Sequence, residues 1–139
     1  MRNTSMLGLF AGLSLILFCR ASGSAVPGQA PDRGIGPVKN LKLGPVDQKL
    51  AENGKQLFAD KCAACHDLSE DKMGPALGNI LKTASPEFVM NMLLNTVEMT
   101  SKDAAVKKSI AHFGAAMPSP GLSHDEARAI LEYLRTTGK

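Results

Sequence analysis

Five consecutive residues, Cys62-Ala63-Ala64-Cys65-His66, constrain this chain more than any other part of it. They spell C-x-x-C-H, the pattern at which two thiols add to the vinyl groups of a c-type haem and form two thioethers. Two intervening residues let one helical turn present both sulfurs to one edge of a porphyrin. His66, directly after the second cysteine, is then carried to one axial face of the iron. Two other chemistries use C-x-x-C. A zinc site needs four ligands, but the only other cysteine is Cys19, inside an apolar leader, and His66 lies too close to act as a distant ligand. A thioredoxin-type dithiol expects a strand and crossover around it, and no βαβ pattern is visible here.

The 139 residues are enough for one small domain, and part of the chain is a leader. Arg2 precedes an apolar run of 12 residues, Leu7 to Phe18, followed by the small residues Ala21 to Ala25. That order reads as a secretory signal over 1–25, and the run is short of the roughly 20 residues that span a bilayer. Export to the periplasm agrees with covalent haem attachment. Cys19 offers a second route, lipidation as a membrane tether, although Phe18 before it is larger than lipoprotein signals prefer. An uncleaved leader acting as an anchor is a third.

Charge excludes one class of partner. The chain has 16 basic and 13 acidic residues; removing Arg2 and Arg20 with the leader leaves 14 against 13, a net +1. Nothing in that balance supports nucleic-acid binding. Lys55, Lys61, Lys72 and Lys82 either cluster near a haem edge or form solvated helix faces. Beyond the leader the aromatic residues are only Phe58, Phe88, Phe113 and Tyr133, so a haem would supply apolar bulk that the core lacks.

Residues 26–46 read as a linker or extended arm, because 26–45 holds four of the eight prolines and four glycines. Val38, Leu41 and Leu43 are the side chains able to dock it. The domain spans 47–139. Asp47 is a candidate N-cap, and Leu50, Gly54, Leu57, Phe58 and Lys61 fall on one helix face leading into the haem motif. Gly54 in mid-helix costs about 1 kcal/mol against alanine, which close approach of another helix would explain. A loop follows, Lys72 to Gly78. Its Pro75 carbonyl is the candidate acceptor for the second ring nitrogen of His66, since a ligating histidine needs that N–H held. Ser85-Pro86-Glu87 opens a helix whose apolar side is Phe88, Met92, Leu93 and Val97. Another begins near Asp103 and stops at Gly114. Ser123 and Glu126 form a capping box for a final helix through Leu134. No stretch alternates as a strand does, so the domain is expected to be all-α.

The sixth ligand of the iron is sought among methionines and histidines. A thioether is soft and neutral and favours reduced iron. Met117 leads, because it sits in a loop stiffened by Pro118 and Pro120. Met99 at a helix end and His112 beside Phe113 are the alternatives. Met73 lies too near the His66 loop to cross the ring, His124 falls within the capping box, and an open position is the last alternative.

The ordered set Gly54-Lys55-Gln56-Leu57-Phe58, C-A-A-C-H, Gly74-Pro75-Ala76-Leu77, Met117-Pro118 and Leu131-Glu132-Tyr133-Leu134 resembles class I cytochromes c of the small monohaem bacterial type, over about residues 47–139. The resemblance implies a small helical domain wrapped around one haem c, bound covalently through Cys62 and Cys65. It implies His66 and Met117 as axial ligands, Pro75 holding His66, and Gly54 and Phe58 meeting the last helix near Tyr133. It implies an electron carrier rather than an enzyme, docking transiently with a redox donor and acceptor. The stretch Glu87 to Thr96 is similar to cytochromes encoded with respiratory reductases. The competing functions are a haem enzyme or gas or peroxide sensor with a labile sixth site, and a tethered subunit of a larger reductase or oxidase complex.

Overall fold

In a computed structural model, residues 32–138 are described. The leader, its cleavage site and Cys19 lie outside them. Two helices dominate the packing. The first, α1 (Gln48–Lys61), starts where the Asp47 carboxylate accepts from Leu50 N at 3.0 Å. The last, α5 (His124–Thr137), starts at a reciprocal capping box: Ser123 Oγ accepts from Glu126 N, and Glu126 Oε2 accepts from Ser123 N. The buried face of α1 is Ala51, Gly54 and Phe58; that of α5 includes Ala127, Ile130, Leu131 and Leu134. Their crossing is the largest helix–helix contact among the described residues. Gly54 is what allows it, because a Cβ there would run into the Ala129 carbonyl. One turn later, Phe58 meets Tyr133 edge-on, with centroids 5.5 Å apart and planes at 62°.

Between them run a 3₁₀ turn (Ile80–Lys82), α2 (Pro86–Leu94), α3 (Thr96–Lys102) and α4 (Ala104–Phe113), and there is no strand among the described residues. The all-α expectation holds. The single apolar helix face expected through Val97 does not. The chain breaks at Asn95 (φ −132°, ψ 40°), and Val97 is 72% exposed. Asn95 spends its side-chain amide on Ile35 O at 3.1 Å and Glu98 Oε2 at 2.9 Å, bonds made outside a regular helix. Val89, Met90 and Leu93 of α2 and Met99 of α3 turn inward instead. Asp103 then caps α4, accepting from Ala105 N and Val106 N, and Gly114 ends it at φ +74°.

The described part of the arm, residues 32–46, is extended but docked. The Asn91 amide, fully buried, brackets Val38: Oδ1 accepts from Val38 N at 2.9 Å and Nδ2 donates to Val38 O at 2.8 Å. A neighbouring strand would satisfy the same two groups, and here one side chain does so. Nδ2 also donates to Arg33 O, Leu41 N donates to Glu87, and Ser85 Oγ donates to Asp32 O. Val38, Leu41 and Leu43 join the core. The arm's end is fixed by the fully buried Glu132, which accepts from Asp47 N and from both Arg128 and Arg135; Arg135 in turn donates to Gly44 O. Burial pushes the Glu132 carboxyl up, but the hydrogen bonds from the two arginines outweigh it and hold the group below its ordinary value. No helix among the described residues is long and apolar enough to cross a membrane.

Candidate functional site

The haem motif forms the turn that continues α1. Cys62 N donates to Phe58 O, and Cys65 N and His66 N both donate back to Cys62 O. Both thiols and the imidazole are thereby placed on a single turn. Cys62 is buried and Cys65 half-buried, and neither is in a disulfide. Burial pushes the Cys62 thiol up, with Lys61 partly opposing it.

All three motif side chains line a cavity of about 600 Å³. Its floor is Phe58, Leu93, Ile130 and Leu134, from α1, α2 and α5. A second wall comes from Val106, Ile110 and Phe113 of α4 and from Met117, whose flanking residues 115–120 all border the cavity. Glycines with positive φ bracket that loop, Gly114 at +74° and Gly121 at +62°. Residues 115–122 make no hydrogen bond among the described residues; Met117 and Leu122 pack against the core, and Pro118 and Pro120 limit the backbone between them.

The loop after His66 is built in the contrary way, by hydrogen bonds throughout. Gly74 N donates to Cys65 O, Leu77 N to Asp67 O, and Gly78 N to Leu68 O, each within 3.0 Å. Asp67 accepts from the Ser69 amide and hydroxyl, which with Lys72 hold its carboxyl down at about 2. This frame sets Pro75 O 2.9 Å from His66 Nδ1. With Nδ1–H donating there, the lone pair of the ring is on Nε2. Gly74 forms the seat of the ring, since a Cβ on it would strike His66 Cε1. The sequence gives no separate sign of that role; it emerges only once the loop folds back on the imidazole.

The other candidate ligands lie elsewhere. Met99 is fully buried against the arm, its sulfur accepting from Ile35 N at 3.0 Å, and it does not border the cavity. His112 is exposed and stacks edge-on against Phe113. His124 is exposed at the start of α5. Met73 borders the cavity from the His66 loop and is 60% exposed. Of the four lysines considered for the rim, only Lys61 borders the cavity; Asp32 is the one carboxylate there among the described residues.

The residues fit a haem. The cavity falls within the range of about 300–1,000 Å³ usual for cofactor pockets, and it is largely apolar. Two thiols sit on one turn, an imidazole has one nitrogen committed and the other free, and a thioether borders the same space from a separate element.

A family model described as Cytochrome c matches residues 51–138. Among solved structures, cytochrome c from Rhodothermus marinus is 42% identical, with 74% of this chain and 90% of that one covered and a TM-score of 0.72. An engineered cytochrome c from the same organism, Rma TDE, is 41% identical over the same shares, with a TM-score of 0.71. A second structure of that engineered protein, bound to a carbene intermediate, is 42% identical over the same shares, with a TM-score of 0.69. Among curated proteins, an ATP-dependent (S)-NAD(P)H-hydrate dehydratase from Mycosarcoma maydis is 38% identical over 61 residues. That match covers 43% of this chain, and the chain spans 17% of that protein's length.

Proposed function

Since the chain belongs to the cytochrome c family and is a haem electron carrier, we propose that it is an exported, periplasmic carrier that passes single electrons between respiratory redox proteins with its iron held by His66 and Met117. Haem c, bound covalently through Cys62 and Cys65, supplies the one-electron Fe(II)/Fe(III) couple. One observation carries the ligand assignment: the cavity that gathers both thiols also gathers His66, with Nδ1 already committed to Pro75, and Met117. His66 Nε2 is left to bind a metal, and Pro75 fixes the tautomer and ring angle. Met117 offers a neutral sulfur that favours the reduced metal and so raises the potential. The apolar floor excludes water from the space between them. Were His66 and Met117 both to hold the iron, no position on it would be left for a substrate.

The leader at 1–25 supports export, and a tether through the leader or Cys19 is part of the same reading. The rim carries few full charges, Lys61 and Asp32, so docking relies on small uncharged side chains such as Ala115, Ala116 and Ser119. Encounters of that kind use small interfaces and depend weakly on salt.

Met117→Ala tests the reading. The midpoint potential should fall by more than about 59 mV, a tenfold shift for one electron, and the reduced protein should gain carbon monoxide binding. An unchanged potential rejects Met117 as a ligand. Carbon monoxide binding by the native reduced protein would instead favour a sensor or enzyme with a labile sixth site, for which the unbonded 115–122 loop is the structural opening.

A further inference from the structure

The peptide group joining Pro75 to Ala76 is engaged at both ends. Its oxygen lies 2.9 Å from His66 Nδ1, and its N–H donates to Asp71 Oδ1 at 2.8 Å. Asp71, one peptide plane and His66 therefore form a continuous hydrogen-bonded chain. The frame around that plane is fixed on both sides, by Gly74 N to Cys65 O and by Leu77 N to Asp67 O. The bare Gly74 backbone keeps the imidazole against it.

We propose that Asp71 is a positioning residue for electron transfer, whose carboxylate polarises the Pro75–Ala76 peptide and through it sets how strongly His66 donates to the iron. The proposal rests on the reading of His66 as an axial ligand. An N–H bonded to an ionised acceptor makes a hydrogen bond roughly twice as strong as a neutral pair. Hydrogen bonds in series polarise one another by about 10–30% per bond, so the peptide oxygen becomes a better acceptor. A better acceptor on Nδ1–H raises the basicity of the other ring nitrogen, which favours the ferric state and lowers the potential. Asp71 is exposed, and water screens it, so the effect is modest. Its neighbour Glu70 is also exposed but makes no side-chain hydrogen bond among the described residues, which makes it the natural control.

The test uses the full holo-protein with Asp71→Asn and Glu70→Gln. Asparagine keeps an oxygen for Ala76 N–H and removes the charge, so a merely structural role would leave only the small through-space shift that Glu70→Gln also gives. The relay requires Asp71→Asn to lower the ferric-to-ferrous ratio about threefold at a fixed poise, an upward shift of about 28 mV at 59 mV per tenfold. Glu70→Gln should give less than a third of that shift. In nuclear magnetic resonance spectra, Asp71→Asn should move both the Ala76 amide and the His66 Nδ1–H signals. A wild-type potential in Asp71→Asn overturns the relay, and so does an equal shift in Glu70→Gln, which would mark a through-space charge effect. If the His66 ring of the oxidised wild type carries no paramagnetic shift, His66 is not a ligand and both readings fall. If it does and Asp71→Asn has no effect, the relay alone falls.

Discussion

Gly54→Ala sets two opposing effects against each other, and the structure decides the sign. Alanine in mid-helix is favoured over glycine by about 1 kcal/mol. Against this, the new Cβ would overlap the Ala129 carbonyl, and that obstacle is backbone in the middle of α5, which cannot rotate aside. The two helices would have to move apart. A gap of 0.5–1 Å forfeits about a quarter to a half of the dispersion energy of each contact it opens. The contacts at stake include the Phe58–Tyr133 pair and the packing of Ala51 on α5, in the largest helix interface of the domain. Overpacking of this kind costs about 1–3 kcal/mol, and here it falls at the upper end because neither side can yield. The expected net loss is about 2 kcal/mol, or roughly 8–16 °C in the thermal midpoint for a domain of this size. Thermal unfolding of the oxidised holo-protein, followed by circular dichroism and haem absorbance, reads it directly. Gly44→Ala is the contrast, because a Cβ there meets nothing within 4 Å, and its midpoint should stay level or rise. A Gly54→Ala protein as stable as wild type would refute the close-crossing explanation.

Two further perturbations address the arm. Asn91→Ala removes three hydrogen bonds at once and leaves the Val38 amide and carbonyl buried without partners, so a loss of about 3 kcal/mol is expected; the Val38 amide should exchange with solvent much faster, and slow exchange would show that the arm docks through its apolar side chains alone. Glu132→Gln should cost about 2 kcal/mol at neutral pH, since it withdraws the buried partner of Arg128 and Arg135. The folded carboxyl lies below its ordinary value, so its contribution is complete above the usual glutamate range, near pH 4.3, and is lost as pH falls through the depressed folded value. Denaturant titrations of the two proteins should therefore converge in acid; a difference that grew below pH 4 would reverse the sign of the linkage.

Features decided by neighbouring residues were legible in the sequence. Asp47, Ser85 and the Ser123–Glu126 box all cap the helices they were expected to cap, the helix expected near Asp103 begins there with Asp103 as its cap, and Gly114 ends α4 in the left-handed region. A cap needs only the next three residues, so its chemistry is printed in order. The break at Asn95 was not legible, because the apolar pattern runs on through Val97 and the bond to Ile35 comes from 60 residues away. Asn91 shows the same limit: a polar residue within a run of Val89 to Leu94 is a visible anomaly, but nothing local says that it grips Val38. In the site, the C-x-x-C-H turn was readable from five residues. The seat made by Gly74 was not, since it depends on a loop folding back onto the His66 ring. Met117 was favoured over Met99 by its proline-stiffened loop, but the reason Met99 is unavailable, its burial against Ile35 away from the cavity that Met117 borders, was not legible.

The optical spectrum of the oxidised full-length holo-protein bears most directly on the assignment of the iron to His66 and Met117. His–Met ligation requires the weak far-red band of sulfur-to-iron charge transfer, retained in Met73→Ala and lost in Met117→Ala. A native spectrum without that band, or a band that survives Met117→Ala, would contradict it.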